Sequence, residues 1–291
     1  MLQLLPALVL PYPQIDPVLI EIGPVAIRWY ALAYIAGILL GWWYAIRLIR
    51  TERLWTNWGG KPPLTAEQTD DFILWVTLGI ILGGRIGYIL FYGFIYEPEV
   101  YADPMKWLAI WEGGMSFHGG LIGVILAVIL FSIIKRLDMV RVGDIVASVV
   151  PIGLFTGRLA NFINGELWGK PTDVPWAMVF PTGGDIPRHP SQLYEAALEG
   201  IVLFIILRLL ATRLRAFDRP GLVIAAFLFF YGAFRIIGEI FRDSDQLVGG
   251  GIISMGQLLS ALMFGGAAFF LWWAMTHRAK PETPPEAPTA A

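Results

Sequence analysis

Three arginines stand inside long apolar runs of this chain: Arg85 in Phe72–Phe91, Arg158 in Val142–Phe162 and Arg235 in Leu222–Phe241. A charge at the centre of a membrane helix costs about 2.5–3.5 kcal/mol on the lenient insertion scale, so three unpaired ones would cost on the order of 8–10 kcal/mol. Such residues persist when they are paired or line a polar cavity. Their spacing argues for convergence. Tyr231, Arg235 and Glu239 recur every four residues on one helix face. Arg158 and Asn161 lie three apart and Asn164 extends that row, while Glu195 and Glu199 share a face of Tyr194–Leu210. His118 opens Phe117–Ile134 and Tyr30 opens Trp29–Ile46. Clustered guanidinium forks call for an anion, and phosphate suits them bidentately. At headgroup depth that anion is a phospholipid phosphate. His118, with a near-neutral reference pKa, is a candidate general base; the bland reading is a histidine that only hydrogen-bonds Ser116 or a loop carbonyl. For the arginines the bland readings are snorkelling to the headgroups, an Arg–acid pair that fixes packing, or interhelical polar glue at about 1 kcal/mol per contact.

The elements that must position these groups are membrane helices. Of 291 residues 56% are apolar and only 15% charged, against about 25% charged in a soluble domain. That excludes a soluble enzyme of this length and a disordered chain. The long apolar runs also exclude an outer-membrane barrel, whose strands alternate. Twenty-one basic residues nearly balance 23 acidic ones, so nothing points to nucleic acid. With no cysteine there is no disulfide, thiolate metal site or thiol nucleophile of the chain's own. Three histidines argue against a multi-histidine metal site. No Ser–His–Asp set or glycine-rich nucleotide loop is visible; Gly83-Gly84-Arg85-Ile86-Gly87 lies inside a run and follows no strand.

The expected fold is an all-α polytopic membrane protein of seven transmembrane helices: Trp29–Ile46, Phe72–Phe91, Phe117–Ile134, Val142–Phe162, Tyr194–Leu210, Leu222–Phe241 and Ile252–Met275. Thirteen basic residues flank one side of these runs and five the other, Arg242 among the five. The positive-inside rule then puts the N-terminus outside and the C-terminus in the cytoplasm. In that orientation Arg85, Arg158, Arg235, Glu239, His118, Tyr30, Glu195 and Glu199 fall in one layer of the outer leaflet. The inner halves of the helices read as plain Leu, Ile, Val, Phe and Ala.

Residues 1–28 read as an interfacial, extracytoplasmic arm, interrupted by Pro6, Pro11, Pro13 and Pro17. They lack a basic start and a cleavage site, so they do not read as a signal peptide. Residues 29–275 are expected to form the seven-helix transmembrane domain that carries the site. Its outer loops 92–116 and 164–192 are expected to build a small cap, with Trp176–Phe180 pairing as a short strand. Residues 276–291 are expected to be a disordered cytoplasmic tail. Gly79, Gly83 and Gly87, with Gly119 and Gly123, repeat every four residues and read mainly as close helix packing.

Several stretches are similar to the signatures of the prolipoprotein diacylglyceryl transferase family. They are Gly157-Arg158-Leu159-Ala160-Asn161-Phe162-Ile163-Asn164-Gly165-Glu166-Leu167-Trp168-Gly169, residues Gly113 to Gly123 around His118, Arg188 to Glu195, Tyr231 to Arg235 with Glu239, and Trp29-Tyr30. Ala160 stands where the family usually has glycine, and Lys170 where it often has arginine. The resemblance covers about residues 15–275. It implies a multi-pass enzyme of the bacterial inner membrane, active towards the outer leaflet, that needs no cofactor or metal. Its partners would be phosphatidylglycerol and prolipoprotein signal peptides bearing a lipobox cysteine. The sn-1,2-diacylglyceryl group would pass to that cysteine and glycerol phosphate would leave, as the first step of lipoprotein maturation. By the same resemblance Arg158 and Arg235 bind and stabilise the phosphate, Asn161, Glu166 and Gly169 shape its site, and Tyr30, Tyr231 and Glu239 support it. His118 is the candidate base and Glu239 the alternative. The rival reading is a transporter of an anion or lipid with an outer-leaflet site, which would favour a midplane site, broken helices and repeats.

Overall fold

Polar side chains decide where each apolar run becomes a helix. In the computed structural model, residues 9–23, 25–93, 104–108, 113–243, 247–248 and 253–278 are described. The start of the arm, much of loop 92–116, Ile252 and the expected tail beyond residue 278 lie outside these. Strands β1 (Val18–Ile22) and β2 (Val25–Arg28) pair antiparallel and lead into α1 (Trp29–Ile49). This hairpin was not expected; proline spacing located the arm but carried no strand signal. Helix α2 (Ala66–Tyr88) opens with a reciprocal capping box between Thr65 and Gln68 and ends in a π turn at Ile89–Gly93. After the short α3 (Pro104–Leu108) comes α4 (Phe117–Lys135), capped by Ser116. Asp138 caps α5 (Met139–Ile163) by accepting from Val140 N and Arg141 N. Residues 191–212 are helical throughout, as α6 (Ser191–Glu195), a π segment (Ala196–Val202) and α7 (Leu203–Thr212). Then follow α8 (Leu222–Phe241), the strand pair β3 (Leu247–Val248) and β4 (Ile253–Ser254), and α9 (Met255–Thr276), which carries a Ser254–Gln257 capping box.

Among the described residues six helices are long and apolar enough to cross a membrane. The chain is therefore a mostly helical polytopic membrane protein. The fifth expected run differs because its helix is interrupted by the π segment, so neither helical piece alone has that length.

Glycine sets the closest contact. On α2 and α4 a Cβ at Gly79 would come 2.6 Å from Gly123 O, and one at Gly87 would come 2.6 Å from Gly119 Cα. Cβ atoms at Gly83, Gly119 and Gly123 would strike carbonyl oxygens of the facing glycines. The four-residue repeat thus brings two backbones into van der Waals contact. Helices α1 and α5 approach similarly, with a Gly37 Cβ position 3.1 Å from Gly153 Cα.

The end of the bundle away from Tyr30 is tied by aromatic and polar contacts. Trp55 stacks on Phe217, with centroids 5.0 Å apart, and donates to Leu48 O and Ile49 O. Asp144, one per cent exposed, accepts from Gly221 N at 2.7 Å and Ile224 N at 3.0 Å. It caps α8 from another helix, satisfying donors that the first turn leaves free. Ser148 is buried one turn further on, bonded to Asp144 O. The helix halves away from Tyr30, expected to be plain Leu, Ile, Val, Phe and Ala, are thus not all apolar. The partners of Asp144 are backbone amides, which leave no mark in the sequence.

Candidate active site

Three helical segments bring six ionisable side chains together. From the 191–212 segment, Glu195 and Glu199 are both buried, with side chains fully shielded from solvent. Arg158 of α5 forks between them: Nη1 lies 3.1 Å from Glu195 Oε2, Nη2 lies 3.1 Å from Glu199 Oε2, and Nε lies 3.3 Å from that same oxygen. Arg235 of α8 pairs with Glu195 through Nη1 and with Glu239 through Nη2, and its Nη1 is 3.8 Å from Glu199 Oε1. Arg242 adds a contact to Glu195 Oε1 at 3.3 Å. Three guanidiniums face three carboxylates, so the cluster is formally neutral. That is what makes its burial tolerable, since removing one partner of a buried pair costs about 3–5 kcal/mol.

Local helix geometry makes this possible. The π segment contains Glu199 and begins directly after Glu195. Its extra residue per turn re-aims the side chains relative to a regular helix, and such insertions gather at functional sites. Both carboxylates thereby meet the same guanidinium. On α8 the four-residue spacing aligns Arg235 with Glu239, and Arg242, three residues further on, joins the group. By sequence alone Arg242 falls among the five flanking charges of the outer side. The Arg235, Glu239, Arg242 spacing of four then three was the available signal.

The loop after α5 closes over this end of the cluster. Asn161 is buried and donates to Glu166 Oε1 at 2.8 Å; Gln192 Nε2 donates to Glu166 O at 2.6 Å. Gly169 sits where a Cβ would be 2.5 Å from Phe241 O and 2.7 Å from His189 O, so only glycine fits against the end of α8. Lys170 bonds the Ile240 carbonyl at 2.9 Å there. Met178 makes isolated bridges to both Arg188 and Leu10, so the short strand expected at 176–180 is reduced to one bridged residue, which also holds the arm. The Tyr12 hydroxyl donates to Ile163 O at 3.0 Å and covers the end of α5. Buried acceptors at this end that lack a hydrogen bond among the described residues include Glu199 Oε1, Glu195 Oε2, Gln192 Oε1 and Asn164 Oδ1.

Tyr30 stacks obliquely on Tyr34 at 5.3 Å, and Tyr34 has Arg158 and Glu166 as charged neighbours. Tyr231 has Glu199, Arg158, Arg235 and Glu195 as its charged neighbours and lies over Phe227 in a near-parallel stack. The sequence-derived residues Arg158, Arg235, Glu239, Asn161, Glu166, Gly169, Tyr30 and Tyr231 thus lie in or beside one site. His118 is the exception. It is exposed on the first turn of α4, its ring edge-on to Phe117 at 5.6 Å, and no hydrogen bond links it to the cluster among the described residues. Its presumed partner Ser116 instead caps α4.

Arg85 is separate too. Its guanidinium donates to Trp107 O (3.1 Å), Gly113 O (2.8 Å), Gly114 O (3.1 Å) and Lys106 O. Backbone carbonyls of residues 106, 107, 113 and 114 take its donors, so Arg85 ties these two short stretches to α2.

These features define a polytopic membrane protein with a buried, charge-balanced guanidinium–carboxylate site at one end of its helices. A family model described as prolipoprotein diacylglyceryl transferase matches residues 17–273, and the chain belongs to that family. Its relatives include a protein of Phenylobacterium zucineum, 52% identical over 95% of this chain and 97% of the other. A protein of Rhodopseudomonas palustris is 56% identical over 89% and 90%, and one of Brucella anthropi is 48% identical over 95% and 98%. All three are named phosphatidylglycerol–prolipoprotein diacylglyceryl transferase.

Proposed function

We propose that this chain transfers the sn-1,2-diacylglyceryl group of phosphatidylglycerol to the lipobox cysteine of prolipoproteins and releases glycerol phosphate. The observation that carries the reading is the buried meeting of Arg158 and Arg235 in a member of this family. The relatives' names supply the two substrates.

The cysteine sulfur attacks the glycerol carbon that carries the phosphate. One S–C bond forms, one C–O bond breaks, and the thiol proton passes to a base. The leaving group gains negative charge as it departs, so fixed positive groups around it lower the barrier. Arg158 and Arg235 supply them, exchanging part of their carboxylate contact for phosphate oxygens. Glu199 Oε1, Gln192 Oε1 and Asn164 Oδ1 are acceptors suited to the hydroxyls of the glycerol headgroup. Asn161, Glu166 and Gly169 hold the loop over the phosphate, and Tyr30, Tyr231 and Glu239 orient the arginines.

A thiol of reference pKa about 8.5 needs a base near neutrality. His118 fills that role: both ring nitrogens lack a hydrogen-bond partner among the described residues. Glu239 already engages Arg235 and is the alternative.

With 191–212 counted as the fifth of seven spans, the excess of basic residues on one side supports an N-terminus outside and a site in the outer leaflet of the inner membrane. Loops 92–116 and 164–192 form its cap, residues 1–28 are an extracytoplasmic arm, and the tail is cytoplasmic. A reporter fused after Lys280 should read as cytoplasmic; an external reading would overturn the orientation.

The activity is tested with purified protein, labelled phosphatidylglycerol and a cysteine-bearing lipobox peptide. The expected products are a thioether-linked diacylglyceryl peptide and glycerol phosphate. Lipid movement across proteoliposomes without new covalent product would favour the transporter reading instead.

A further inference from the structure

At the opposite end of α1 the charge balance is reversed. A pocket of about 230 Å³ opens between the end of α1, the turn that follows it and α7. Arg47, Arg53 and Arg208 line it together with Tyr44, Thr51 and Thr212, and no acidic residue does. None of these three arginines takes part in an ion pair among the described residues. The contrast with Arg158, Arg235 and Arg242, each held by a buried carboxylate, is direct.

Tyr44 supplies a second, independent observation. The residue is two per cent exposed. Its hydroxyl faces the Arg208 guanidinium, with Arg47 as a second charged neighbour, and its own proton has no acceptor among the described residues. Buried hydroxyls in folded proteins are nearly always satisfied. A ligand oxygen between the guanidiniums would accept from all of these groups.

Depth defines the ligand further. Helix α1 has 21 residues, about 30 Å of rise, which matches the hydrocarbon thickness of a bilayer. The pocket therefore lies at headgroup level on the face opposite the active site. A larger hollow of about 380 Å³ shares Arg47 and Thr51 and adds Trp43, Ile46 and Arg50. Trp43 is exposed on the helix side, as an aromatic at a membrane interface is. Basic pockets between helices at this level suit phosphate headgroups.

We propose that this pocket binds a phosphate group, and that its source is an anionic phospholipid of the leaflet facing away from the active site. Arg47 and Arg208 grip the phosphate oxygens, Tyr44 donates its hydroxyl, and the acyl chains run along the apolar faces of α1 and α7. The bound lipid screens three uncompensated positive charges and clips α1 to α7.

The test uses delipidated full-length protein in neutral detergent and native mass spectrometry. The probes are phosphatidylglycerol, phosphatidylcholine and inorganic phosphate. Arg47 and Arg208 are exposed, so the Arg47→Gln/Arg208→Gln variant keeps its packing. Wild type should retain one more phosphatidylglycerol molecule than this variant. Phosphatidylcholine should show no such difference, and transfer at saturating phosphatidylglycerol should be unchanged. Tyr44→Phe, which keeps the ring, should weaken the extra binding about fivefold, as loss of one hydrogen bond does. Retention of phosphate but not lipid by wild type, lost in the variant, would support the site and reassign its source to free phosphate. Equal lipid and phosphate retention in all three proteins would overturn the proposal.

Discussion

Replacing Arg158 by lysine keeps the charge and removes the fork, and the structure sets how much that should matter. Arg158 spans two carboxylates, with Nη1 3.1 Å from Glu195 and Nη2 3.1 Å from Glu199. A single ammonium on a flexible stem reaches one of them well. The variant therefore loses about two charge-assisted contacts of roughly 1.5–3 kcal/mol each. Part of this appears as lower stability, because one buried carboxylate is left short of a partner. The catalytic loss is a distinct quantity. Removing one preorganised donor from a developing oxyanion costs about 10²–10³ in rate. We expect kcat/KM for phosphatidylglycerol to fall by about that factor, equivalent to roughly 3–4 kcal/mol. The assay follows glycerol phosphate release with the lipobox peptide in excess, alongside a thermal unfolding curve that shows the variant folded at the assay temperature. Turnover within threefold of wild type at limiting phosphatidylglycerol would refute the phosphate-binding role of the fork.

Further outcomes follow from particular contacts. Glu199→Gln leaves Arg158 without its doubly bonded partner and gives the buried cluster a net positive charge; it should destabilise the protein by about 3–5 kcal/mol, read as a lowered unfolding temperature, and a change below the measurement error would show that the pair is solvated. Gly123→Ala places a methyl group against Gly79 O and should cost about 1–3 kcal/mol through separation of α2 and α4, with little change in KM for lipid in the protein that remains folded. His118→Gln should slow the single-turnover step while leaving lipid binding intact, and the deficit should shrink as pH rises towards the thiol pKa, because more substrate is then already thiolate. A wild-type to variant ratio constant from about pH 6 to 9 would pass the role to Glu239.

Much of the site was legible because charge inside an apolar run is costly enough to demand a reason. Arg158, Arg235 and Glu239 could be picked out by position alone, and helical spacing gave their shared faces. The glycine repeat likewise foretold the α2–α4 contact, since small residues at that period have one mechanical consequence. What escaped was set by tertiary partners. Arg85 resembled Arg158 in depth, but its donors go to loop carbonyls, and carbonyls are the same in every sequence. Asp144 disappeared for the same reason. Arg242 lay just past a predicted helix end, where a charge is unremarkable until the helix is seen to carry it to Glu195. The π segment has no compositional signature, although it lets Glu195 and Glu199 face one guanidinium.

The central claim is that phosphatidylglycerol places its phosphate between Arg158 and Arg235. The most direct measurement is an experimental structure of the protein with phosphatidylglycerol bound. The account predicts phosphate oxygens at about 2.7–2.9 Å from guanidinium nitrogens of both residues, with the scissile glycerol carbon open to the side from which His118 is reached. Phosphatidylglycerol bound only elsewhere, with Arg158 and Arg235 still fully paired to Glu195, Glu199 and Glu239, would contradict it.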